Sequence, residues 1–309
     1  MEIALKASKK NIASAYVRLT KPGIIMGNLL TAFGGFMIAR PQTSWLSLLG
    51  WMLLGLACVI GSACVFNNII DVDLDKTMVR TAKRPLPQGQ IKPGSAALFG
   101  SCLVIVGGAL LFSCANTLTM VLAICGWMLY VGVYSLMKYT TSFATWMGSI
   151  AGAIPPVVGY TAATNQLDVI ALILFLIVAC WQMPHFLAIG IFRIEDYAKA
   201  NIPILPCILH FSITKGHMLC YLLGFSLGCW MLYCVAHLSA LFLAVMGSIG
   251  IIWLQVAIQG FYTREDKKWA KKMFLYSLVA ITAFSLILPF AQGKKITWVS
   301  SGNTMIKTI

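Results

Sequence analysis

A chain of 309 residues that is 59% hydrophobic and only 10% charged cannot clothe a water-facing surface, since ordinary soluble domains carry roughly 25% charged residues. The composition excludes a soluble globular enzyme. The net charge of +14 sits in loops between long apolar runs, so no nucleic-acid partner is expected.

A membrane span needs about 20 mostly apolar residues, and the chain offers such runs repeatedly. In order, spans are expected near Ile24 to Ala39, Trp45 to Ile70, Ala96 to Cys114, Leu118 to Met137, Trp146 to Ala163, Val169 to Gly190, Met218 to Ala236, Ala240 to Phe261 and Met273 to Ala291. The expected fold is an all-α, polytopic membrane protein of nine transmembrane helices in one domain. Pro155, Pro156 and Pro184 lie inside these runs and mark kinks, which membrane helices tolerate when neighbours satisfy the freed backbone groups.

Lys and Arg concentrate in cytoplasmic loops, and nine spans with the N-terminus inside place 19 of the 23 basic residues on that side. Lys6, Lys9, Lys10, Arg18 and Lys21 precede the first span. Lys76, Arg80, Lys83, Arg84 and Lys92 follow the second, Lys138 the fourth, Arg193, Lys199 and Lys215 the sixth, and Arg264, Lys267, Lys268, Lys271 and Lys272 the eighth. Only Arg40, Lys294, Lys295 and Lys307 fall outside. The location expected is a cytoplasmic (inner) membrane, with a mitochondrial inner membrane also compatible. The first twenty residues lack the apolar core of a signal peptide. The ten cysteines form no CxxC pair and read as small apolar residues of the spans.

With only nine acidic residues, their placement is informative. Asp71, Asp73 and Asp75 cluster at the cytoplasmic end of the second span, Glu195 and Asp196 at that of the sixth. At helical spacing Asn67, Asp71 and Asp75 share one stripe, with Asn68 beside it and Asp73 opposite. Carboxylates gathered on one face repel unless a cation offsets them, and oxygen ligands of this kind suit Mg²⁺, which is held by one or two carboxylates plus substrate phosphates. The competing reading is a solvated helix end whose acids pair with Lys76, Arg80 and Arg84. The second acidic pair on the same side favours a site. Arg80 and Arg84, four apart, suit phosphate oxygens, and an apolar cavity beneath would hold a lipid tail. A cation-coupled transporter is the other class, but its acids would sit near the midplane on broken helices.

These residues carry a resemblance. The pattern Asn67-x3-Asp71-x3-Asp75 resembles the first Asp-rich motif of the intramembrane prenyltransferases of the UbiA superfamily. NNIIDVDLDKTMVRTAKRPL, GSIAGAIPPVVGY from Gly148 to Tyr160, and WQMPHFLAIGIFRIEDYAKANIPILP from Trp181 to Pro206 are similar to the haem-farnesylating branch. The likeness runs from about residue 17 to 290 of a domain taken as 1–309.

The resemblance implies a UbiA-type bundle, a Mg²⁺-dependent transfer of farnesyl from farnesyl diphosphate to a vinyl group of haem b, and a site open to the cytoplasm. Downstream partners would be haem A synthase or terminal oxidase assembly. By position, Asp71, Asp75 and Asp196 would be the catalytic and metal-holding residues, and Asn67, Asn68, Arg80, Arg84, Tyr134 and Lys138 the substrate-binding ones. Two departures stand out. Ala200 replaces the second acid of the superfamily's Asp-x3-Asp motif, and Tyr139 stands where a second basic residue is usual. A related acceptor such as a hydroxybenzoate, a quinone precursor or a chlorophyllide is the alternative within the superfamily. His185, in the sixth span, could ligate haem iron, bond a propionate, or join a neighbouring helix. Phe66, Trp127, Tyr130, Tyr134, Trp181 and Phe186 are candidates to line the cavity and face a cation.

Overall fold

Each helix begins where the local chemistry permits it. The computed structural model describes residues 12–39, 45–291 and 293, and the backbone alone of 297–301 and 304–308. Lys6, Lys9, Lys10, Arg40, Lys294 and Lys295, and the side chain of Lys307, lie outside the described residues. After a short helix α1 (12–19), Lys21 turns into the left-handed region at φ 52°, and Pro22 opens α2 (Pro22–Ile38). Proline suits that position because a first-turn N–H has no intrahelical partner to lose. Then follow α3 (Trp45–Ile70), α4 (Val72–Thr77) and α5 (Pro93–Cys114). Helix α6 (Thr117–Met128) starts where the Asn116 carboxamide accepts from the Thr119 N–H at 2.9 Å. It runs through a π-helical turn, Leu129–Tyr134, into α7 (Ser135–Met137).

Helices α8 (Ala144–Gly152) and α9 (Ile154–Thr164) are parted at Ala153. Pro155 and Pro156 supply no N–H to the preceding turn, so the rod cannot continue unbroken. Asp168 caps α10 (Val169–Phe192) by accepting from Ile170 and Ala171. The remaining helices are α11 (Ile194–Lys199), α12 (Leu205–Ile208), α13 (Phe211–Val235), α14 (Ala240–Gln259) and α15 (Asp266–Ile287). Two short antiparallel strands, β1 (Thr297–Ser301) and β2 (Thr304–Thr308), close the chain. That ribbon lies beyond the all-α expectation.

The protein is an all-α, polytopic membrane bundle. Among the described residues, seven helical stretches are long and apolar enough to cross a bilayer: α3, α5, the continuous Thr117–Met137 rod, α10, α13, α14 and α15. Seven of the nine expected spans are thus present as long apolar helices. Helix α2 has 17 residues, and the run expected from Trp146 to Ala163 is the broken pair α8 and α9.

Two large apolar cores and a smaller one beneath α1 hold the bundle. Leu174, Ile177, Phe225, Trp253 and Phe284 join α10, α13, α14 and α15. Phe36, Met52, Leu56, Leu111 and Val158 join α2, α3, α5 and α9. Large exposed side chains such as Trp51, Leu98, Ile105, Leu172, Leu227 and Ile251 face outward, as expected where lipid rather than water surrounds the helices. The tightest seam is α2 against α9. A Cβ on Gly35 would stand 1.9 Å from the Pro156 carbonyl oxygen, and one on Gly159 would stand 1.9 Å from that of Ala32. Only glycine allows the two backbones so close.

Candidate active site

The acidic stripe survives the junction between α3 and α4 because backbone hydrogen bonds of helical spacing run through it. The Asp71 N–H donates to the Asn67 carbonyl at 3.0 Å, and the Asp75 N–H to that of Asp71 at 2.8 Å. The side chains of Asp71 and Asp75 are 8% and 4% exposed, while that of Asp73 is 88% exposed and pairs with Lys76. The helical face that separates Asp73 from its neighbours is thus realised.

Each buried acid has a cation that comes from elsewhere in the chain. Arg84 donates to Asp75 at 2.6 Å. Lys138, at the end of the α6–α7 rod, forms an ion pair with Asp71, and the Tyr139 hydroxyl donates to the same carboxylate at 2.5 Å. Lys21 donates to the Asn67 side-chain oxygen Oδ1 at 2.5 Å, and the Asn67 Nδ2 donates to Ser135 Oγ at 3.1 Å. Ser135 in turn donates to the Tyr130 carbonyl at 2.9 Å, which is set apart by the π-turn. Such turns recur at functional sites because they shift the register of one face. Here Tyr130 and Tyr134 come to line the site.

Lys21, Asn67, Asp71, Asp75, Arg84 and Lys138 help wall a polar cavity of about 470 Å³, with Ser135 and Tyr139 behind them. Five cationic side chains line it, Lys21, Arg80, Arg84, Lys138 and Arg193, against two acids, Asp71 and Asp75. Burial pulls the Lys21 ammonium down to about 8. It also lowers Arg80, which Arg84 and Arg193 depress further. Burial lowers Lys138 as well, while Asp71 beside it pulls the other way. A cavity that destabilises its own cations gains when an anion enters. An apolar chamber of about 460 Å³ adjoins it. Ile24, Tyr130, Tyr134 and Phe186 line both, so the two form one site. Trp127, Trp181, Gln182 and His185 are in the chamber wall.

Not every expected residue joins this arrangement. Asn68, expected beside the stripe, is buried but turned away: its amide donates to the Leu19 carbonyl at 2.8 Å, and it is absent from the cavity wall. A neighbour one step along the helix points about 100° aside, and the packing of α1 claims it. Asp196, expected with Asp71 and Asp75, lies on α11, pairs with Arg193 at 3.5 Å and does not line the cavity. Among the described residues no three His, Cys, Asp or Glu side chains gather as a metal cluster, so the expected three-acid set is not assembled here. Asp71, Asp75 and Asn67 still suit Mg²⁺, which needs only one or two carboxylates when phosphate oxygens and waters complete its shell.

Of the candidate aromatics, all line one cavity or both except Phe66, which packs edge-on against Trp127 with centroids 5.5 Å apart. In the sequence Lys21 and Arg193 read only as loop charges and Tyr139 as a departure from the superfamily pattern. The signals available were the Lys-Pro step before the first span and the position of Arg193 just ahead of the second acidic pair.

Compared with known proteins, residues 28–279 match the model of the UbiA prenyltransferase family. Protoheme IX farnesyltransferase of Photorhabdus laumondii is 46% identical over 274 residues, covering 88% of this chain and 93% of that protein. The enzyme of the same name from Yersinia pseudotuberculosis is 45% identical over 274 residues, with coverage of 88% and 93%. Among solved structures, digeranylgeranylglyceryl phosphate synthase superposes with a TM-score of 0.75 at 16% identity, covering 91% of this chain and 99% of that one. A UbiA homolog from Archaeoglobus fulgidus bound to GPP and Mg²⁺ gives 0.62 at 14% identity, with 90% and 100% covered. At these identities the structures speak for the fold.

Proposed function

The chain belongs to the UbiA prenyltransferase family, and from that membership we propose how its two joined cavities divide the work. The protein transfers the farnesyl group of farnesyl diphosphate to a vinyl group of haem b, giving haem O and diphosphate. The observation that carries the assignment of parts is the direct junction of a cation-rich cavity with an apolar chamber.

The diphosphate occupies the polar cavity, where Lys21, Arg80, Arg84, Lys138 and Arg193 meet its oxygens and stabilise the charge that grows as the C–O bond breaks. Asp71 and Asp75, with Asn67, would hold Mg²⁺ beside it. When bound, that ion neutralises the departing diphosphate. The apolar chamber receives the hydrophobic parts of both substrates, the farnesyl chain and the porphyrin edge that carries the vinyl group. Heterolysis leaves an allylic cation at the junction, where the faces of Tyr130 and Tyr134 favour positive charge. Its C1 is attacked by the vinyl π-bond, forming a C–C bond. The cation then left on the vinyl carbon beside the porphyrin takes up water and loses a proton. No strong general base is needed, in keeping with a site wall that offers paired carboxylates and one histidine.

Asp196 acts on this reading through Arg193, its ion-pair partner, and Asn68 anchors α1. Helix α2 and the α8–α9 pair complete nine membrane crossings in one catalytic domain, with the polar cavity on the cytoplasmic face of the inner membrane. The product passes to haem A synthase or a terminal oxidase in the same bilayer. The test is direct: purified protein with haem b, farnesyl diphosphate and Mg²⁺ should yield haem O by mass, and its absence from an active-fold preparation would overturn the assignment.

A further inference from the structure

His185 is the imidazole in the wall of the apolar chamber, and the hydrogen bonds around it determine which nitrogen carries the proton. Its Nδ1 lies 2.8 Å from the Ser277 hydroxyl on α15. That hydroxyl has a single proton, and the proton is directed at the Phe274 carbonyl, 2.6 Å away. Ser277 therefore has only lone pairs to offer the imidazole, so Nδ1 carries the hydrogen and Nε2 is left with its lone pair.

The ring is also held in place. It stacks on Trp181, with centroids 5.1 Å apart and planes 28° from parallel, and lies 4.9 Å from the Phe274 ring. Trp181 itself is tied to α15 by a 2.7 Å bond from its indole N–H to the Ser277 carbonyl. Among the described residues Nε2 has no hydrogen-bond partner. An oriented basic nitrogen without a protein partner, on a ring in the wall of an apolar chamber, suits an electron-pair acceptor delivered by the substrate. Metal-ligating histidines almost always donate their other ring N–H to an oxygen, which fixes the tautomer and raises the basicity of the ligating nitrogen.

We propose that Nε2 of His185 is an axial ligand to the iron of the haem substrate, and that Ser277 is the positioning residue that keeps that nitrogen unprotonated and aimed. This rests on haem b being the prenyl acceptor. The step is a simple coordination: the Nε2 lone pair forms the Fe–N bond, and no proton or electron is transferred. Its consequence is geometric. Coordination would hold the porphyrin in the chamber whose wall also carries Phe186, Tyr130 and Tyr134, where the two cavities meet. Two of the roles that the sequence left open for His185 are then filled by different nitrogens of one ring, Nδ1 joining the neighbouring helix and Nε2 meeting the iron.

The experiment uses the full chain in detergent, titrated with ferric haem b without farnesyl diphosphate. The wild type should develop the Soret and visible bands of histidine-ligated haem. His185→Ala should lose them, weaken haem affinity by about tenfold or more, and recover the bands on adding imidazole, while farnesyl diphosphate still binds through the polar cavity, which His185 does not line. Ser277→Ala should retain ligation but shift the iron–histidine stretch of the ferrous complex in resonance Raman to lower frequency, and Ser277→Thr should restore it. Unchanged haem bands in His185→Ala, in a preparation whose wild type makes haem O, overturn the proposal and leave the acceptor assignment standing. A wild type that makes no haem O overturns the acceptor assignment itself. If His185→Ala cannot bind farnesyl diphosphate and so has not folded, Ser277→Ala decides, and an unshifted stretch there refutes the role of Ser277 in holding a ligand.

Discussion

Replacing each acid of the α3–α4 stripe by its amide separates a built site from a solvated helix end. Asp73 is 88% exposed and pairs only with Lys76 three residues on. Such a pair is worth about 0–1 kcal/mol, so Asp73→Asn should change turnover by less than about fivefold. Asp71 accepts from both Lys138 and Tyr139, with its side chain 8% exposed and that of Lys138 13% exposed. Asparagine at this position keeps the volume but offers one acceptor oxygen and no charge, leaving Lys138 without its counter-ion. Breaking a buried pair from one side costs about 3–5 kcal/mol, and losing one preorganised electrostatic group at a reacting centre typically costs about 10²–10³ in kcat. Asp75→Asn, which strips the partner from Arg84, should behave alike. Haem O formation, read by mass under single turnover and normalised to folded protein in the membrane fraction, measures all three. Comparable losses at Asp71, Asp73 and Asp75 would refute the one-face argument.

Tyr139→Phe removes the 2.5 Å hydroxyl bond to Asp71. A hydrogen bond to a charged group is worth about 1.5–3 kcal/mol, so turnover should fall about tenfold or more while the protein remains folded by size-exclusion profile. Gly159→Ala places a Cβ 1.9 Å from the Ala32 carbonyl oxygen and must part α2 from α9, whereas Gly23→Ala meets nothing within 4 Å. Overpacking typically costs about 1–3 kcal/mol, so the first should lower thermal stability in detergent and the second should leave it unchanged. Accessibility tags after Arg84 and after Arg264 should report the cytoplasm and one after Asn165 the opposite side. A cytoplasmic signal at Asn165 would break the nine-crossing arrangement.

Much of this protein was legible in one dimension because lipid imposes a one-dimensional rule: backbone groups in hydrocarbon must be satisfied within the segment, so an apolar run of span length reads directly as a helix. The same holds for the stripe, since Asn67, Asp71 and Asp75 share a face by helical periodicity alone, and Asp73 faces away for the same reason. What periodicity cannot supply is the identity of the partner across the bundle. Lys138 and Tyr139 meet Asp71 from 67 and 68 residues away, and Lys21 meets Asn67 from 46. Those pairings exist only once α1, α3 and the α6–α7 rod are packed side by side. Tertiary packing likewise turned Asn68 toward Leu19 and held Asp196 to Arg193 outside the cavity wall, whereas the break of the Trp146 to Ala163 run at Ala153 is local. At that break two prolines withdraw hydrogen bonds that a composition window still counts as helix. The tautomer of His185 is the clearest case: its proton is placed by a serine 92 residues away, whose own proton is already committed to a carbonyl of its helix.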